Sequence, residues 1–243
     1  MQQPCSVAPK LALTPDVIHV YDFKLTEDAK FVERALETLD DEEQTQAARY
    51  ATVALKRRHV VSHGRLRETL GQHLGLAPSD VHYTKGELGK PALHPNHCSS
   101  LMFNLSHSGE RCVIAVTREK EVGIDVEYRR ALPDWKAIAS RFFSEREYAA
   151  LSQLPESVRA RAFFTIWTRK EAYIKALGLG LSLDLSTFAV EVDPRKPAQL
   201  LWARDEAQGK GHVWLGDFDV GDDYCATVAG RGDHFDLVLC SPA

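Results

Sequence analysis

The spacing of apolar residues predicts two long helices. Across residues 40–74 apolar side chains recur mostly every three or four positions, with Gly64 as an interruption. A second segment of this kind spans about 155–177, and Gly178 and Gly180 are expected to end it. The apolar stripe along this second segment indicates that it faces a hydrophobic core.

Shorter helices are predicted between these two segments. Ser144 is followed three residues later by Glu147, the spacing of a capping box, which favours a helix over about 145–151. The segment after Pro133 is also helical in pattern. Residues 81–96 are rich in Gly, Pro and His and are predicted to form a loop-rich connection.

Strands are predicted in both halves of the chain. Apolar alternation and β-branched residues favour strands at 101–105, 112–116 and 122–128. Shorter strands are predicted nearer the C-terminus, at 187–192, 212–218, 224–229 and 235–239. Because helices and strands do not alternate regularly, the sequence predicts an α+β fold rather than a parallel βαβ sheet.

Composition limits the classes of function. The 243 residues suffice for one large domain or two small ones, and 44% hydrophobic with 26% charged residues is typical of a soluble globular protein. The formal net charge of −4 argues against broad nucleic-acid binding. No apolar run is long enough to span a bilayer, and residues 1–20 lack a secretory signal pattern. Five widely spaced cysteines indicate reduced thiols in a cytoplasmic protein.

Basic residues are concentrated in the first predicted long helix. For most of them the simplest interpretation is a solvated helix face. The residues concerned are Arg49, Lys56, Arg57, Arg58, Arg65 and Arg67.

Two carboxylates on one strand are the first candidate for chemistry. Alternate residues of a strand share a face, so Asp125 and Glu127 point to one side of the strand predicted at 122–128. Such a pair repels unless a cation, an arginine or water lies between the two groups, and hard oxygen ligands of this kind suit magnesium. The alternative is an exposed strand face that carries solvated acids.

The second candidate lies near the end of the second long helix. Glu171 and Lys175 are four residues apart, which is the spacing of a surface ion pair. In the functional interpretation, Glu171 is the third carboxylate of the metal site, and Lys175 meets the same anionic ligand one turn later.

The third candidate is the end of the strand predicted at 101–105. Ser106, His107 and Ser108 there are suited to donating hydrogen bonds to phosphate oxygens, and Lys90 adds a cation beside a constrained Gly-Lys-Pro turn. The alternative is a polar turn that caps a buried strand. A serine hydrolase is disfavoured, because no Gly-x-Ser-x-Gly elbow is present.

The order and spacing of these segments resemble those of the Sfp-type 4′-phosphopantetheinyl transferases, over roughly residues 49–192. The matching segments are Gly89-Lys90-Pro91, Phe103-Asn104-Leu105-Ser106-His107-Ser108, Gly123-Ile124-Asp125-Val126-Glu127, Arg141-Phe142-Phe143-Ser144 and Trp167-x-x-Lys170-Glu171-Ala172-x-x-Lys175. The resemblance implies two similar α+β halves related by a pseudo-twofold axis, at 1–121 with phosphate-binding residues and 122–243 with metal-binding acids. Coenzyme A is then expected in the cleft between them.

Site residues follow from the same resemblance. It implies magnesium ligands at Asp125, Glu127 and Glu171, and phosphate-binding residues at Ser106, His107 and Lys90. It also implies that Arg58 and Lys85 contribute to the binding of coenzyme A. The chain departs from the family upstream of Arg49, where Glu43 and Gln46 stand at positions that can be lysine in family members. The residues around the 3′-phosphate are therefore left unassigned.

The expected reaction moves 4′-phosphopantetheine from coenzyme A to a serine of an apo acyl or peptidyl carrier protein. Glu171 is the expected base, directly or through a metal-bound water, and Lys175 the residue at the leaving oxygen. Two alternatives stay open, a metal-dependent hydrolase of nucleotide pyrophosphates and a non-catalytic carrier-binding module. The choice among carriers of fatty-acid, polyketide and nonribosomal peptide synthesis also stays open. The charge and hydropathy above predict no nucleic-acid or membrane partner, and two halves on one chain make a monomer sufficient.

Overall fold

The computed structural model describes residues 13–26, 28–86, 89–180, 183–204 and 211–241. The first part of the chain contains three helices and five strands within these ranges. In chain order they are β1 (Val17–Lys24), α1 (Ala29–Thr38), α2 (Asp41–Ala48), α3 (Val53–Leu74), β2 (Tyr83–Lys85), β3 (Pro91–Leu93), β4 (Leu101–Ser108) and β5 (Arg111–Arg118).

The second part begins with a strand and carries a second long helix. Its described elements are β6 (Val122–Tyr128), α4 (Trp135–Phe142), α5 (Glu145–Gln153), α6 (Glu156–Leu177), β7 (Phe188–Val190), β8 (Leu200–Ala203), β9 (Val213–Asp217), β10 (Tyr224–Arg231) and β11 (Asp236–Cys240). None of the described helices is both long and apolar enough to cross a membrane.

Two sheets form the centre of the molecule. One has the strand order β11-β1-β5-β4 and the other β6-β10-β9. The pairs within them are antiparallel except β1 with β11, which are parallel, so a strand from the end of the chain completes the sheet formed by its beginning. Strand β4 at the edge of the first sheet lies beside β6 at the edge of the second.

The helix α6 is the most deeply buried helix of the second part. It packs against β6 and β10, and it is buried on most of its circumference, including Arg169 and Lys170. Phe163, Ile174 and Leu177 enter the core as the apolar stripe predicted. The helix ends at Gly178, whose φ of 66° is in the left-handed region that favours glycine. The predicted helix and its stop are confirmed.

The two parts of the chain repeat one construction. Helices α3 and α6 both have 22 residues, and a buried cation in each pairs with the third residue of a capping box at the start of a preceding helix. Arg67 pairs with Glu43 at 2.7 Å, and Lys170 pairs with Glu147 at 2.8 Å. This repetition fits two similar halves, and the α+β fold class is confirmed.

Several local predictions are wrong. The segment 40–74 is two helices, because a break at 49–52 separates α2 from α3. Gly64 does not interrupt α3; a Cβ there would lie 2.5 Å from the Cβ of Ala35, so glycine lets α1 pack closely. The predicted loop 81–96 contains the hairpin β2–β3, and the elements β1, α1 and β8 were not predicted.

A solvated basic face was predicted for most basic residues of the segment 40–74; Arg49, Lys56 and Arg57 are exposed, whereas Arg67 and Arg65 are exceptions. Arg67 is 1% exposed and donates to the carboxylates of Asp40 and Glu43 and to the backbone carbonyl oxygens of Pro78 and Val81. Arg65 is partly buried, with its guanidinium group over the rings of two phenylalanines. Partners supplied by distant segments, which helical spacing does not reveal, make this burial possible.

Candidate active site

Polar side chains connect the edges of the two sheets. Asn104 Oδ1 accepts a hydrogen bond from the backbone N–H of Ile124 at 2.8 Å. Two and four residues further along β4, the hydroxyls of Ser106 and Ser108 donate to Asp125 and Glu127, each at 2.8 Å. We call Asn104, Ser106 and Ser108 the polar ladder. It determines which residues of β4 face the carboxylates of β6.

Asp125 is a buried carboxylate with two different oxygens. Its Oδ1 accepts from Ser106 Oγ at 2.8 Å and from Lys175 Nζ at 2.6 Å. Its Oδ2 is buried and has no hydrogen-bond partner among the described residues. With the side chain 6% exposed, the alternative of a solvated acid is excluded for this residue.

Glu171 approaches the same acids from α6. Burial raises the pKa of its carboxyl group, and the charge of Asp125 raises that pKa further, with a smaller contribution from Glu127. Burial and then Asp125 likewise raise the pKa of Glu127, against the hydrogen bond from Ser108. Three carboxylates from two separate elements therefore share one electrostatic environment.

The close approach of α6 to β6 depends on Gly123. This residue lies on the same face of β6 as Asp125 and Glu127. A Cβ at this position would lie 2.2 Å from the carbonyl oxygen of Ala172 and 2.4 Å from the nitrogen of Ala176. The absence of a side chain lets the backbone of α6 rest directly on the strand, which brings Glu171 and Lys175 to Asp125.

Lys175 forms hydrogen bonds with residues of β6 and β4 rather than an ion pair with Glu171, its neighbour on α6. Its Nζ donates to Asp125 Oδ1, to the carbonyl oxygen of Ile124 at 3.1 Å and to Ser106 Oγ at 3.2 Å. The surface ion pair with Glu171 that the spacing allowed is replaced by an ion pair across elements. Lys175 thus supplies the positive charge nearest to Asp125.

His107 lies on the opposite face of β4 from Ser106. Its side chain is exposed, yet neighbouring groups remove enough water to lower its pKa, and the positive charges of His63, Lys175 and Arg58 lower it further. Arg58 also pairs with Glu110 at 2.5 Å. Arg58 and Lys175 are therefore both close enough to His107 to affect its pKa.

Lys90 and Lys85, the two lysines predicted to bind the nucleotide end, form ion pairs away from Asp125. Lys90 Nζ contacts Glu121 at 2.6 Å and the carbonyl oxygen of Val122 at 2.9 Å, and it lines a groove of about 560 Å³. Lys85 is exposed and forms an ion pair with Glu42. The structure brings Ser106, Asp125 and Lys175 into direct contact, while Lys85 and Lys90 are engaged with acids elsewhere.

The residues present fit a hard divalent cation. Among the described side chains, no group of three or more His, Cys, Asp or Glu residues already has the geometry to hold a metal ion. The unpartnered Oδ2 of Asp125 and the nearby carboxylates of Glu127 and Glu171 are nevertheless the oxygen ligands that magnesium takes, with further oxygens from water or substrate.

The sequence analysis missed two residues of interest and gave a third a different partner. Asn104 was quoted only as part of a motif, although alternation along β4 points it to the side of Ser106. His63 was not singled out, and no local signal marks it; its Nδ1 is 2.8 Å from Glu43 Oε1, and its ring lies 4.1 Å from that of His59. Ser108 was expected to donate to a phosphate, and in the structure it donates to Glu127.

Comparison with known proteins identifies the family. The family model described as the 4′-phosphopantetheinyl transferase superfamily matches residues 121–229, and that described as 4′-phosphopantetheinyl transferase, N-terminal, matches residues 26–119. The 4′-phosphopantetheinyl transferase HetI of Nostoc sp. is 36% identical over 79% of this chain and 81% of its own length. This chain belongs to the 4′-phosphopantetheinyl transferase superfamily.

A second transferase shows the same relationship. Sfp of Bacillus subtilis is 32% identical to this chain over 66% of it and 69% of Sfp. The resemblance recognised in the motifs is confirmed, and in this phosphopantetheinyl transferase three of the five motif segments lie on β4, β6 and α6. Among solved structures, a Chronobacterium ammoniagenes ACPS–CoA complex has a TM-score of 0.36 at 18% identity, covering 47% of this chain and 98% of that one.

Proposed function

We propose that this transferase uses magnesium to move the 4′-phosphopantetheine group of coenzyme A onto a serine of an apo carrier protein, with release of adenosine 3′,5′-bisphosphate. The observation that carries the proposal is Asp125, whose Oδ1 is held by Ser106 and Lys175 while its buried Oδ2 has no partner. A carboxylate arranged in this way, beside two other acids and a lysine, is suited to bind a cation that also binds a diphosphate.

In this proposal residues 1–121 and 122–243 are the two halves, with coenzyme A bound where they meet. The meeting of β4 with β6, at the polar ladder, supports this location. Asp125, Glu127 and Glu171 hold the magnesium ion. When bound, the ion offsets negative charge on the pyrophosphate oxygens.

Glu171 is proposed as the base that takes the proton of the carrier serine, directly or through a water. Its carboxylate lies in the same acidic site as Asp125 and Glu127, where the carrier hydroxyl is proposed to attack. The serine oxygen forms a bond to the β-phosphorus of coenzyme A, and the bond from that phosphorus to the bridging oxygen breaks. Lys175 neutralises or protonates the departing oxygen.

The phosphates are proposed to lie against the end of β4. His107 supplies a hydrogen bond, and Ser106 supplies one by exchanging its acceptor Asp125 for a phosphate oxygen. Lys175 and Arg58 supply positive charge, and their effect on the pKa of His107 supports their proximity to that residue. Lys90 and Lys85 are proposed to contact the nucleotide end, which requires exchange of their present acidic partners, Glu121 and Glu42.

The proposed carrier, oligomeric state and cellular location are supported by the family and by the composition of the chain. The partner is an acyl or peptidyl carrier of fatty-acid, polyketide or nonribosomal peptide synthesis. Two halves in one chain make a monomer sufficient. The described cysteines are free thiols, which supports a reducing cytoplasmic location.

The decisive test incubates the purified chain with coenzyme A, magnesium and several apo carrier proteins. We expect a carrier to gain the mass of one phosphopantetheine group, and Asp125→Ala and Glu171→Ala to abolish the gain while thermal unfolding shows an intact fold. Magnesium-dependent cleavage of coenzyme A with no change in carrier mass indicates the hydrolase instead. Binding of the carrier without either reaction indicates a binding module.

A separate test concerns His107. Because it is proposed to bind a phosphate, His107→Ala is expected to weaken coenzyme A binding measured by calorimetry, with little change in the melting temperature. Unchanged affinity identifies His107 as a packing residue and removes it from the site.

A further inference from the structure

Side chains, rather than backbone hydrogen bonds, join the two sheets at the candidate site. In the described sheets, β4 is the edge of one sheet and β6 the edge of the other. The polar ladder crosses between them through Asn104, Ser106 and Ser108. The N-terminal half therefore supplies one hydroxyl to each carboxylate of β6.

The hydroxyl proton of Ser108 has a fixed direction. Ser108 Oγ donates to Glu127 Oε2 at 2.8 Å and accepts from the backbone N–H of Tyr128 at 3.1 Å. Because the hydroxyl has a single proton and the N–H occupies one lone pair, the proton is directed to Glu127. Ser106 has the same arrangement, with Asp125 as acceptor and Lys175 as donor.

The side chain of Glu127 has more conformational freedom than that of Asp125, so its orientation depends more on a single hydrogen bond. Asp125 is short, buried and held on Oδ1 by two donors, whereas Glu127 is longer and only partly buried. Ser108 provides the one side-chain hydrogen bond that the described residues make to Glu127. A partly exposed glutamate without that bond populates several rotamers, and only some of them face Asp125.

We propose that Ser108 is a positioning residue, which holds the carboxylate of Glu127 in the orientation that binds the divalent cation. This inference rests on the proposed function. Ser108 touches neither the cation nor the substrate; it acts by holding Oε2 of Glu127, so that the carboxylate keeps one orientation. Hydrogen-bond partners of metal ligands commonly change metal affinity by about 10- to 100-fold when removed.

The test titrates magnesium chloride into the full chain saturated with coenzyme A, with no carrier present, and measures the magnesium Kd by calorimetry. Ser108→Ala is expected to weaken magnesium binding about tenfold. Ser108→Thr, which keeps the hydroxyl, is expected to restore binding to within about twofold of the wild type. The matched control is Ser152→Ala, which removes an exposed hydroxyl of α5 bonded to Tyr148 O, and it leaves the Kd unchanged.

A second measurement separates positioning from general structural damage. Coenzyme A binding in excess EDTA and the melting temperature are expected to be the same for Ser108→Ala and the wild type. The proposal is overturned by a magnesium Kd within twofold of the wild type, by failure of Ser108→Thr to restore it, or by equal losses of coenzyme A and magnesium binding. Absence of magnesium binding by the wild type overturns both proposals, whereas intact binding without carrier modification overturns only the proposed function.

Discussion

The two carboxylate oxygens of Asp125 have different surroundings. Its Oδ1 is neutralised by Lys175 at 2.6 Å, while its Oδ2 stays buried without a partner. Leaving a buried oxygen unpaired is unfavourable unless another group fills the position. Lys175 therefore acts as an internal counter-ion for an acidic site that is otherwise strongly repulsive.

If Lys175 is the counter-ion of Asp125, replacing it is expected to change the affinities for magnesium and for coenzyme A in opposite directions. Lys175→Met removes the competing positive charge, so magnesium binding in the absence of coenzyme A is expected to tighten severalfold. Coenzyme A binding is expected to weaken, because its phosphates lose a cation. Calorimetry with each ligand alone gives both constants. Weaker binding of magnesium by the variant contradicts the role of counter-ion.

His59 predicts a pH dependence of stability. It is 5% exposed, and burial and the charge of His63 lower its pKa from 6.5 to about 4. The unfolded state therefore binds this proton at a higher pH than the folded state does. The free energy of unfolding is expected to fall as the pH drops from 6.5 towards 4, by up to about 3 kcal/mol from this group.

Urea unfolding at pH 7 and pH 5 tests this expectation. His59→Gln keeps a donor for the backbone oxygen of Glu43 and cannot ionise, so its loss of stability between the two pH values is expected to be smaller than that of the wild type. His212→Gln, at an exposed histidine, is the control and follows the wild type. Equal losses in all three proteins exclude His59 as the source.

At the scale of elements, the site depends on how closely α6 rests on β6. Gly123 permits this contact, and it lies two residues before Asp125 on the same face. Gly64 permits a similarly close contact between α3 and α1 in the other half. The two glycines offer a matched pair of substitutions, one beside the acids and one at another helix contact.

Gly123→Ala is expected to move α6 away from β6, because a Cβ at 2.2 Å from a backbone oxygen cannot be accommodated. The free energy of unfolding is expected to fall by about 1–3 kcal/mol, and magnesium binding and transfer are expected to fall sharply. Gly64→Ala is expected to lose similar stability with near-normal transfer per folded molecule. Equal loss of transfer in both variants contradicts a specific effect on the acids.

At the scale of the whole molecule, the first and second parts of the chain each contain a buried ion pair of the same design. Lys170 Nζ lies 2.8 Å from Glu147 and donates to the backbone oxygens of Leu185 and Phe188. Glu147 in turn accepts from the N–H of Val190, so the pair joins α5 and α6 to β7. Burial lowers the pKa of Lys170, and Glu147 opposes that effect.

Lys170→Met leaves Glu147 buried without its cation and is expected to lower the free energy of unfolding by about 3–5 kcal/mol. The double variant Lys170→Met/Glu147→Gln removes both charges and keeps an acceptor for Val190, so it is expected to be more stable than the single variant. Urea denaturation measures both. A double variant as unstable as the single one shows that unpaired charge is not the cause.

Much of this protein was predictable from local sequence. The capping box of Ser144 and Glu147, the glycine stop at Gly178 and the strand alternation that places Asp125 with Glu127 all depend on near neighbours in the chain. Together with motif spacing, they were enough for the fold class and the family. Strand β1 was not predicted; it is buried on both faces over most of its length, and its apolar–polar alternation is interrupted at Val17-Ile18 and at Val20-Tyr21.

Contacts between distant segments were decided only by the tertiary structure. These include the place of β11 beside β1, the burial of Arg67, the polar ladder and the pairing of Lys175 with Asp125 instead of Glu171. Sequence spacing determines which side of its own helix or strand a residue faces, and therefore which residues carry the chemistry. Which oxygen of Asp125 is neutralised and which is left for a ligand depends on how sheets and helices pack, because that packing brings together donors far apart in the chain.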